Sequence, residues 1–542
     1  MINLKNTESD GKIEKLELKD HIEPVDMQDV GIGIDLGSTE FRIGIFDYHT
    51  DRLVKETKEK VPYFMHGNGI VTQCTSDVLT AVEKAFKTLY IQEYNICSLG
   101  VGATCSMVVG KQKDENLIPF NLIHGKKDKY HDIIFWMHSA AIEETKYLNN
   151  ITDESILCHF GGKFFPEMAI PKLLHLNKLY KDDGLTVLDL HTWLLWKLSL
   201  KLGHKELMPV QEPNSNGIGH DGELFGWSKE FYEHLQLNKI FIGNNAVIKK
   251  NEQFGDSCID CYASWFQCWS TAMLNSTLFV VAGTSTCFLY ASDCFESFIP
   301  GIWGPFKDIL ANRKHTSKYD NYSVYEAGIS RTGVLLEKLL TTHPAVKDND
   351  VNFMETVDHK IDLIEQSDTQ SIHLMIKNTF FHEGYEEFES SFVQKDISGS
   401  ILKEGYDPTL KDLILKYVVI IETLAFQIVD VINAFKEGHI TISKLLITGS
   451  QAKNSRLLQI LQVLLGDISI DTPCSESATA GVKGAYQLGK AHRNKTALSG
   501  YPQEATPRPC LLRTDDSCLT DVQEHLRQKY ISYGNITGTK IR

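Results

Sequence analysis

The 542-residue sequence has no excess of basic charge: 55 lysines and arginines stand against 70 aspartates and glutamates, a formal net charge of −15. A nucleic-acid backbone is therefore not expected as a partner. No apolar run approaches the roughly 18 uninterrupted residues of a membrane span, so no membrane partner is expected either. The amino-terminal stretch MINLKNTESDGKIEKLELKD has mixed charge and lacks the apolar core of a signal peptide. Residues 1–29 are expected to form a flexible extension, and the chain to be cytoplasmic. No Gly-x-Gly-x-x-Gly leads from a strand into a helix, which removes the dinucleotide fingerprint of an oxidoreductase. Cys258 and Cys261 form the one Cys-x-x-Cys pair; without a second pair or a histidine at zinc-finger spacing, they predict no metal centre. The twelve cysteines are expected to be reduced, mostly buried thiols.

What is present is the composition of a soluble globular chain, too long for a single core, so two domains with appendages are expected. Val30–Asp47 reads Val-Gly-Ile-Gly-Ile-Asp-Leu-Gly-Ser-Thr-Glu-Phe-Arg-Ile-Gly-Ile-Phe-Asp. Two apolar runs, Gly31–Ile34 and Phe41–Phe46, flank a small, hydroxyl-rich turn, which predicts a hairpin. Gly37, Ser38 and Thr39 at its tip can let backbone N–H groups approach a phosphate, and Asp35 can hold hydrated magnesium. A plain glycine-serine turn is the bland alternative. A second copy changes the balance. Thr277–Tyr290 again runs apolar strand, Gly283-Thr284-Ser285-Thr286, apolar strand. Two phosphate-type hairpins in two halves of one chain suit a duplicated phosphotransferase with its nucleotide between the lobes. An acidic protein that binds ATP must then rely on Mg2+, backbone N–H groups and helix ends rather than on a basic patch.

With these hairpins the chain resembles the actin-like ATPase superfamily, and within it the FGGY carbohydrate kinases, closest to their ribulose kinase-like branch. The resemblance covers about Val30 to Lys490. It implies an α/β fold of two ribonuclease H-like domains with an interdomain cleft, the first spanning 30–275 on the sugar side and the second 276–493 on the nucleotide side. Gly283–Cys287 is identical to the family's loop, and Ile299-Pro300-Gly301-Ile302-Trp303-Gly304-Pro305-Phe306 is close to the Val-Pro-Gly-Val-Trp-Gly-Pro-Tyr of ribulose-type kinases. Asp260, in Ile259-Asp260-Cys261-Tyr262-Ala263, falls on the family's catalytic base. Glu326 and Gly328 match part of a Glu-Gly-Gly-Gln-Ser-Ala-Thr-Gly segment. Gly449, Gln451 and Asn454 match the Gly-Gly-Gln-x-x-Asn that holds adenosine, on a predicted strand–glycine–helix turn.

On the sugar side, Thr104 belongs to a small-residue turn, Trp136 and His138 to the family's WMDHRA frame, and Glu167 and Lys172 to its Pro-Glu-Met and Pro-Lys-Leu-Leu frames. The frame departs at one triplet: the family's Asp-His-Arg is His138-Ser139-Ala140 here. The resemblance therefore implies ATP- and Mg2+-dependent phosphorylation of a small sugar, with a ketopentose such as D-ribulose the expected acceptor. The altered triplet leaves a second reading open, a catalytically weakened homologue that binds nucleotide and acts as a regulator. A homodimer is also left open.

Helical spacing predicts helices over Ser76–Ile91, with Ser76 as N-cap, and over Thr409–Gly438, where Thr409-x-x-Asp412 resembles a capping box. Asp132–Asn149 is expected as a strand running into a helix, Ser228 as a helix N-cap, and Gly481–Ala485 as a closely packing helix. Residues 494–542 are expected to be a tail with one helix near Asp521–Tyr530 and no assigned role.

Overall fold

A computed structural model describes residues 27–114, 116–123, 129–180, 184–204, 227, 229–237, 241–242, 254–268, 275–306, 322–346, 353–382, 391–395, 401–403, 407–472, 480–496 and 518–537. Two sheets carry the duplication. The first contains β1 (Asp29–Leu36), β2 (Glu40–Asp47), β3 (Leu53–Lys60), β4 (Asn95–Ala103) and β5 (Gly255–Ile259), in the order β5-β4-β1-β2-β3. The second contains β6 (Thr277–Ala282), β7 (Thr286–Ser292), β8 (Trp303–Phe306), β9 (Ser323–Ile329), β10 (Lys444–Thr448) and β11 (Ser469–Asp471), in the order β8-β9-β7-β6-β10-β11. Each sheet has a central strand paired antiparallel to the next in sequence and parallel to a later one. Apart from the extra β8, the two orders superimpose strand for strand. The repeat expected from the two hairpins is thus a repeat of whole sheets.

The helices that matter for the site are α1 (Thr75–Leu89), α2 (Ile142–Ile151), α3 (Ala169–Tyr180), α4 (Leu190–Lys201), α5 (Asp260–Cys268), α6 (Gly333–Thr342), α7 (Leu410–Glu437), α8 (Ser455–Leu465), α9 (Ala480–Asn494) and α10 (Cys518–Thr537). The first sheet has two unlike faces because its strands alternate. Ile32, Ile34, Leu99, Val101 and Ala103 point one way and pack with Val78, Val82 and Phe86 of α1 and Trp193 and Leu194 of α4. Gly31, Gly33, Gly100 and Gly102 alternate with them and face the other way. On that face α9 lies directly against the strands. A Cβ on Gly33 would stand 2.0 Å from the Val482 carbonyl oxygen, and one on Gly100 would stand 1.7 Å from that of Ala485. From the helix side, a Cβ on Gly484 would fall 1.7 Å from the Ala263 carbonyl oxygen of α5. At these three positions backbone touches backbone, and only glycine permits it. Tyr486 closes its edge by stacking on Phe46 with ring centroids 4.5 Å apart.

Helix α7 is long and apolar enough, by length and composition, to cross a membrane, yet 83% of its most apolar window is buried. It is the core helix of the second lobe, packed with Leu278, Val280 and Phe288 of that lobe's sheet. Its Thr409 hydroxyl accepts from the Asp412 N–H as a cap, but the Asp412 carboxylate turns to Lys416 and His343 instead of closing the box.

Three expectations are corrected. Helix α1 begins at Thr75 rather than Ser76, because Asp132 caps it from outside: its carboxylate accepts from the Thr75 N–H at 2.8 Å and hydroxyl at 2.5 Å. A cap brought in by tertiary contact leaves no local sequence signal. The strand expected from Asp132 shrinks to Ile133–Ile134, followed by a loop and then α2. The carboxy-terminal segment is no loose appendage. Lys529 of α10 is buried against Ile376 O at 2.7 Å and Glu422 at 2.5 Å, and His373 holds the other oxygen of Glu422 at 2.7 Å. Ser228 and the stretch 383–390 lie outside the described residues.

Gly484→Ala should cost more than about 3 kcal/mol, since the helix would have to lift off the sheet, while Gly534→Ala on an open surface of α10 should stabilise by about 0.5–1 kcal/mol. Lys529→Ala should cost about 3–5 kcal/mol by leaving Glu422 buried beside His373 alone. Denaturation midpoints of the three variants check all of this.

Candidate functional site

The loop of the first hairpin is Gly37-Ser38-Thr39, closed by the Gly37 N–H to the Glu40 carbonyl at 3.0 Å. Asp35 and Leu36 are the last residues of β1. Asp35 is paired in register with Arg42 across the hairpin and with Gly102 on β4. Gly102 is paired on its other side with Cys258, two residues before Asp260 opens α5. A Cβ on Gly102 would stand 3.5 Å from Asp260 Cα and 3.6 Å from Ile34 O. The carboxyl ends of three adjacent parallel strands therefore bring Asp35 and Asp260 to either side of a residue without a side chain. The first turn of α9 adds Gly481, where any Cβ would lie 2.7 Å from the Asp35 carboxyl carbon.

Electrostatics follow from this crowding. Burial pushes the Asp35 carboxyl up, while Arg42, 3.5 Å away, pulls it back. Burial, and then the charge of Asp35, push Asp260 up to about 7. The Asp260 carboxylate accepts the Cys261 N–H at 2.9 Å, so it sits at a helix start. Two buried acids and one arginine suit a cation with oxygen ligands. The described residues contain no group of three or more His, Cys, Asp or Glu side chains that could hold a metal ion.

The second hairpin tip, Gly283-Thr284-Ser285, is gripped from behind by α6. Thr332 donates its hydroxyl to Gly283 O at 3.0 Å and Thr284 O at 3.1 Å, and the Gly333 N–H bonds Gly283 O at 3.0 Å. The hairpin reaches the first lobe where the thiols of Cys261 and Cys287 meet. That contact, with burial, pushes Cys261 well up. Glu326 and Gly328 lie on β9 opposite Leu289 and Cys287, with Glu326 buried and within electrostatic reach of Cys261. Thr286 Oγ1 and Trp303 Nε1 are buried without a hydrogen-bond partner among the described residues.

Of the residues expected on the sugar side, Trp136 touches the first tip. Trp136 donates its indole N–H to Ser38 Oγ at 3.0 Å, and Lys172, buried on α3, donates to the carbonyls of Trp136 at 2.8 Å and Phe135 at 3.3 Å. Thr104 follows β4, its hydroxyl 3.0 Å from that of Ser106. His138 is buried with its ring on the Val71 main chain; burial, and then Lys172, push it down to about 3, so it is neutral. Glu167 is half-buried just before α3.

Gly449, Gln451 and Asn454 form a third group between β10 and α8. Gly449 has φ +87°, and a Cβ there would meet the Ala282 carbonyl at 2.4 Å, beside the second tip. Asn454 caps α8 through the Leu457 N–H and donates to Gln451 and Tyr417. Arg42 was not singled out from the sequence. Its signal was there: a charged residue inside the apolar alternation of β2, in register with Asp35.

Two like sheets, each carrying a glycine-hydroxyl hairpin, give the duplicated, two-lobed α/β fold of the actin-like kind. The chain belongs to the FGGY family of carbohydrate kinases. Residues 278–485 match the family's C-terminal domain. The chain is 35% identical over 489 residues to Protein MPA43 of Saccharomyces cerevisiae, covering 87% of this chain and 88% of that one. It is 25% identical over 549 residues to a D-ribulokinase of the same yeast, covering 88% of this chain and 74% of the relative. Among solved structures, a ligand-bound xylulose kinase from Lactobacillus acidophilus aligns at TM-score 0.64 with 13% identity over 94% of this chain and 98% of its own. A glycerol kinase from Plasmodium falciparum with ADP aligns at 0.59 with 13% identity over 95% and 99%.

Because the Asp260 carboxyl binds its proton more tightly folded than unfolded, this group's contribution to stability is full at acid pH and is lost as pH rises from about 4 toward 7. Asp260→Asn, which cannot ionise, should raise the melting temperature by about 2–4 °C at pH 8, and by less at pH 5.

Proposed function

We propose that the protein transfers the γ-phosphate of ATP to a hydroxyl of a small sugar, with a ketopentose such as D-ribulose as acceptor. One observation carries the reading. Gly37 and Gly283, at the two hairpin tips, have ordinary negative φ, and a Cβ on either would meet nothing nearer than 3.8 Å and 3.9 Å. Neither backbone conformation nor internal packing calls for glycine there. A phosphate drawn close to the main chain does. Gly328 is open in the same way, its nearest neighbour the Trp303 ring at 3.9 Å. These contrast with Gly33, Gly100 and Gly484, whose space is filled by this chain.

In this mechanism Gly37 and Gly283 let the phosphates approach the main chain, and the amides of Ser38, Thr39, Thr284 and Ser285, with the hydroxyls of Ser38, Thr39, Thr284 and Thr286, hold them. Arg42 supplies a fixed positive charge beside Asp35. Asp35 would hold Mg2+ through water, and the ion would supply neutralisation of phosphate charge. Asp260 accepts a hydrogen bond from the acceptor hydroxyl and takes its proton as the bond to phosphorus forms; its raised proton affinity suits that role near neutral pH. Positioning is the main contribution, so a carboxylate is base enough. Thr104, Trp136, His138, Glu167 and Lys172 surround the acceptor, and the neutral ring of His138 offers it hydrogen bonds without charge. Glu326, Gly328, Gly449, Gln451 and Asn454 line the nucleotide side. The D-ribulokinase relative supports a ketopentose.

Gly37→Ala and Gly283→Ala should keep the unfolding midpoint within about 0.5 kcal/mol and lower kcat/KM for ATP at least about tenfold, a loss of roughly 1.4 kcal/mol. Asp260→Asn should abolish turnover and retain binding of Mg-ATP. ADP release measured across a panel of pentuloses and polyols checks both. Stabilisation by Mg-ATP with no turnover on any acceptor would overturn transfer in favour of a nucleotide-binding regulator.

A further inference from the structure

Ser38 is held by two donors that come from different places. The Trp136 indole N–H reaches its hydroxyl at 3.0 Å, and the Gln73 side-chain amide reaches its carbonyl oxygen at 3.1 Å. Gln73 is fully buried, the last residue of the short strand Val71–Gln73 and two residues ahead of α1. Trp136 is itself fixed: its backbone N–H donates to Ser106 Oγ at 3.0 Å, and Lys172 holds its carbonyl. Ser106 Oγ lies 3.0 Å from Thr104 Oγ1. An unbroken chain of hydrogen bonds therefore runs from Thr104 through Ser106 and Trp136 to the tip of the first hairpin.

The second lobe makes the asymmetry plain. There too a residue just ahead of the helix that follows the third strand, Thr332, donates to carbonyls of the hairpin tip. That grip includes the Thr332 and Gly333 main-chain N–H groups and stays within one hairpin and one helix. In the first lobe the Val61 N–H donates to Thr39 O at 2.9 Å, but the hold on Ser38 comes from two side chains, the Gln73 amide on its carbonyl and Trp136, expected on the acceptor side, on its hydroxyl. Ser38, held this way, takes its position in part from whatever positions Trp136.

We propose that Gln73 and Ser106 are positioning residues that make the first phosphate hairpin responsive to the acceptor: a sugar against Trp136 sets Ser38, and through it the amides that hold the γ-phosphate. Acceptor and ATP then bind with positive coupling, and each strengthens the other by the same factor. This rests on the acceptor lying beside Trp136, as argued above.

The test measures binding of the β,γ-imido analogue of ATP by calorimetry, with and without the pentulose that the unaltered enzyme phosphorylates. The acceptor should tighten the analogue about fivefold or more. Ser106→Ala should bring that factor close to one while binding of the analogue alone changes less than about threefold. Gln73→Glu gives a readout that a merely structural role would not. Buried, the new carboxyl can donate to Ser38 O only while protonated, so coupling should persist near pH 6 and vanish near pH 8.5. Equal coupling in the unaltered enzyme and both variants overturns the proposal and leaves the kinase intact, as does transfer by an unaltered enzyme that shows no coupling. Absence of transfer to every pentulose overturns the functional reading and this inference with it.

Discussion

The contact on which the rest depends is backbone against backbone, α9 on the glycine face of the first sheet. A helix packed through ordinary side chains stands roughly 8–10 Å from its partner. Here Gly33 and Gly100 on the strands, and Gly484 on the helix, remove the spacers, and the helix sinks until carbonyl oxygens touch the positions where Cβ atoms would be. The result is chemical as well as mechanical. Gly481 reaches the Asp35 carboxylate, and Gly484 reaches Ala263 on the helix that Asp260 begins. The two acids are crowded and desolvated by the same contact that joins the end of the chain to its beginning. Their raised proton affinities are a direct product of that packing.

The duplication gives this crowding its use. Two sheets with the same strand order each turn a hairpin toward the gap, and each hairpin tip has its carbonyls held from behind by residues at the start of a helix. The Gly37 and Gly283 N–H groups close their own turns on Glu40 O and Ser285 O, which leaves the amides of Ser38, Thr39, Thr284 and Ser285 to face a ligand. The lobes differ where the roles do. The first tip is wired to Trp136 and the sugar side. The second is wired to its own helix, with Gly449 pressed on Ala282 just behind it.

Much of this was legible in the sequence because it is carried by local pattern. Alternation of glycine and apolar residues in Gly31–Ile34 gives a strand with one smooth face, and the second hairpin repeats the first. The periodicity of Leu410–Phe435 gives α7, observed as Leu410–Glu437. What was hidden is carried by contact between distant segments. Asp132 caps α1 across 57 residues, and no local rule names it. Lys529 anchors α10 through a buried pair with Glu422, which made a polar tail look unattached. Gln73 and Ser106 read as ordinary polar residues until Ser38 and Trp136 are placed beside them. Of the site itself, the hairpins and Asp260 were found by motif. Arg42 carries no motif of its own, and only its register with Asp35 makes it part of the same electrostatic group.

The central claim is that the gap between the hairpins passes a phosphoryl group to a sugar rather than to water. Phosphorus NMR of the enzyme with Mg-ATP and the pentulose panel tests this most directly. The account predicts a new phosphomonoester resonance that grows as fast as ADP appears, with little inorganic phosphate. ATP decaying to ADP and inorganic phosphate with no ester signal, at a rate indifferent to added sugar, would contradict it.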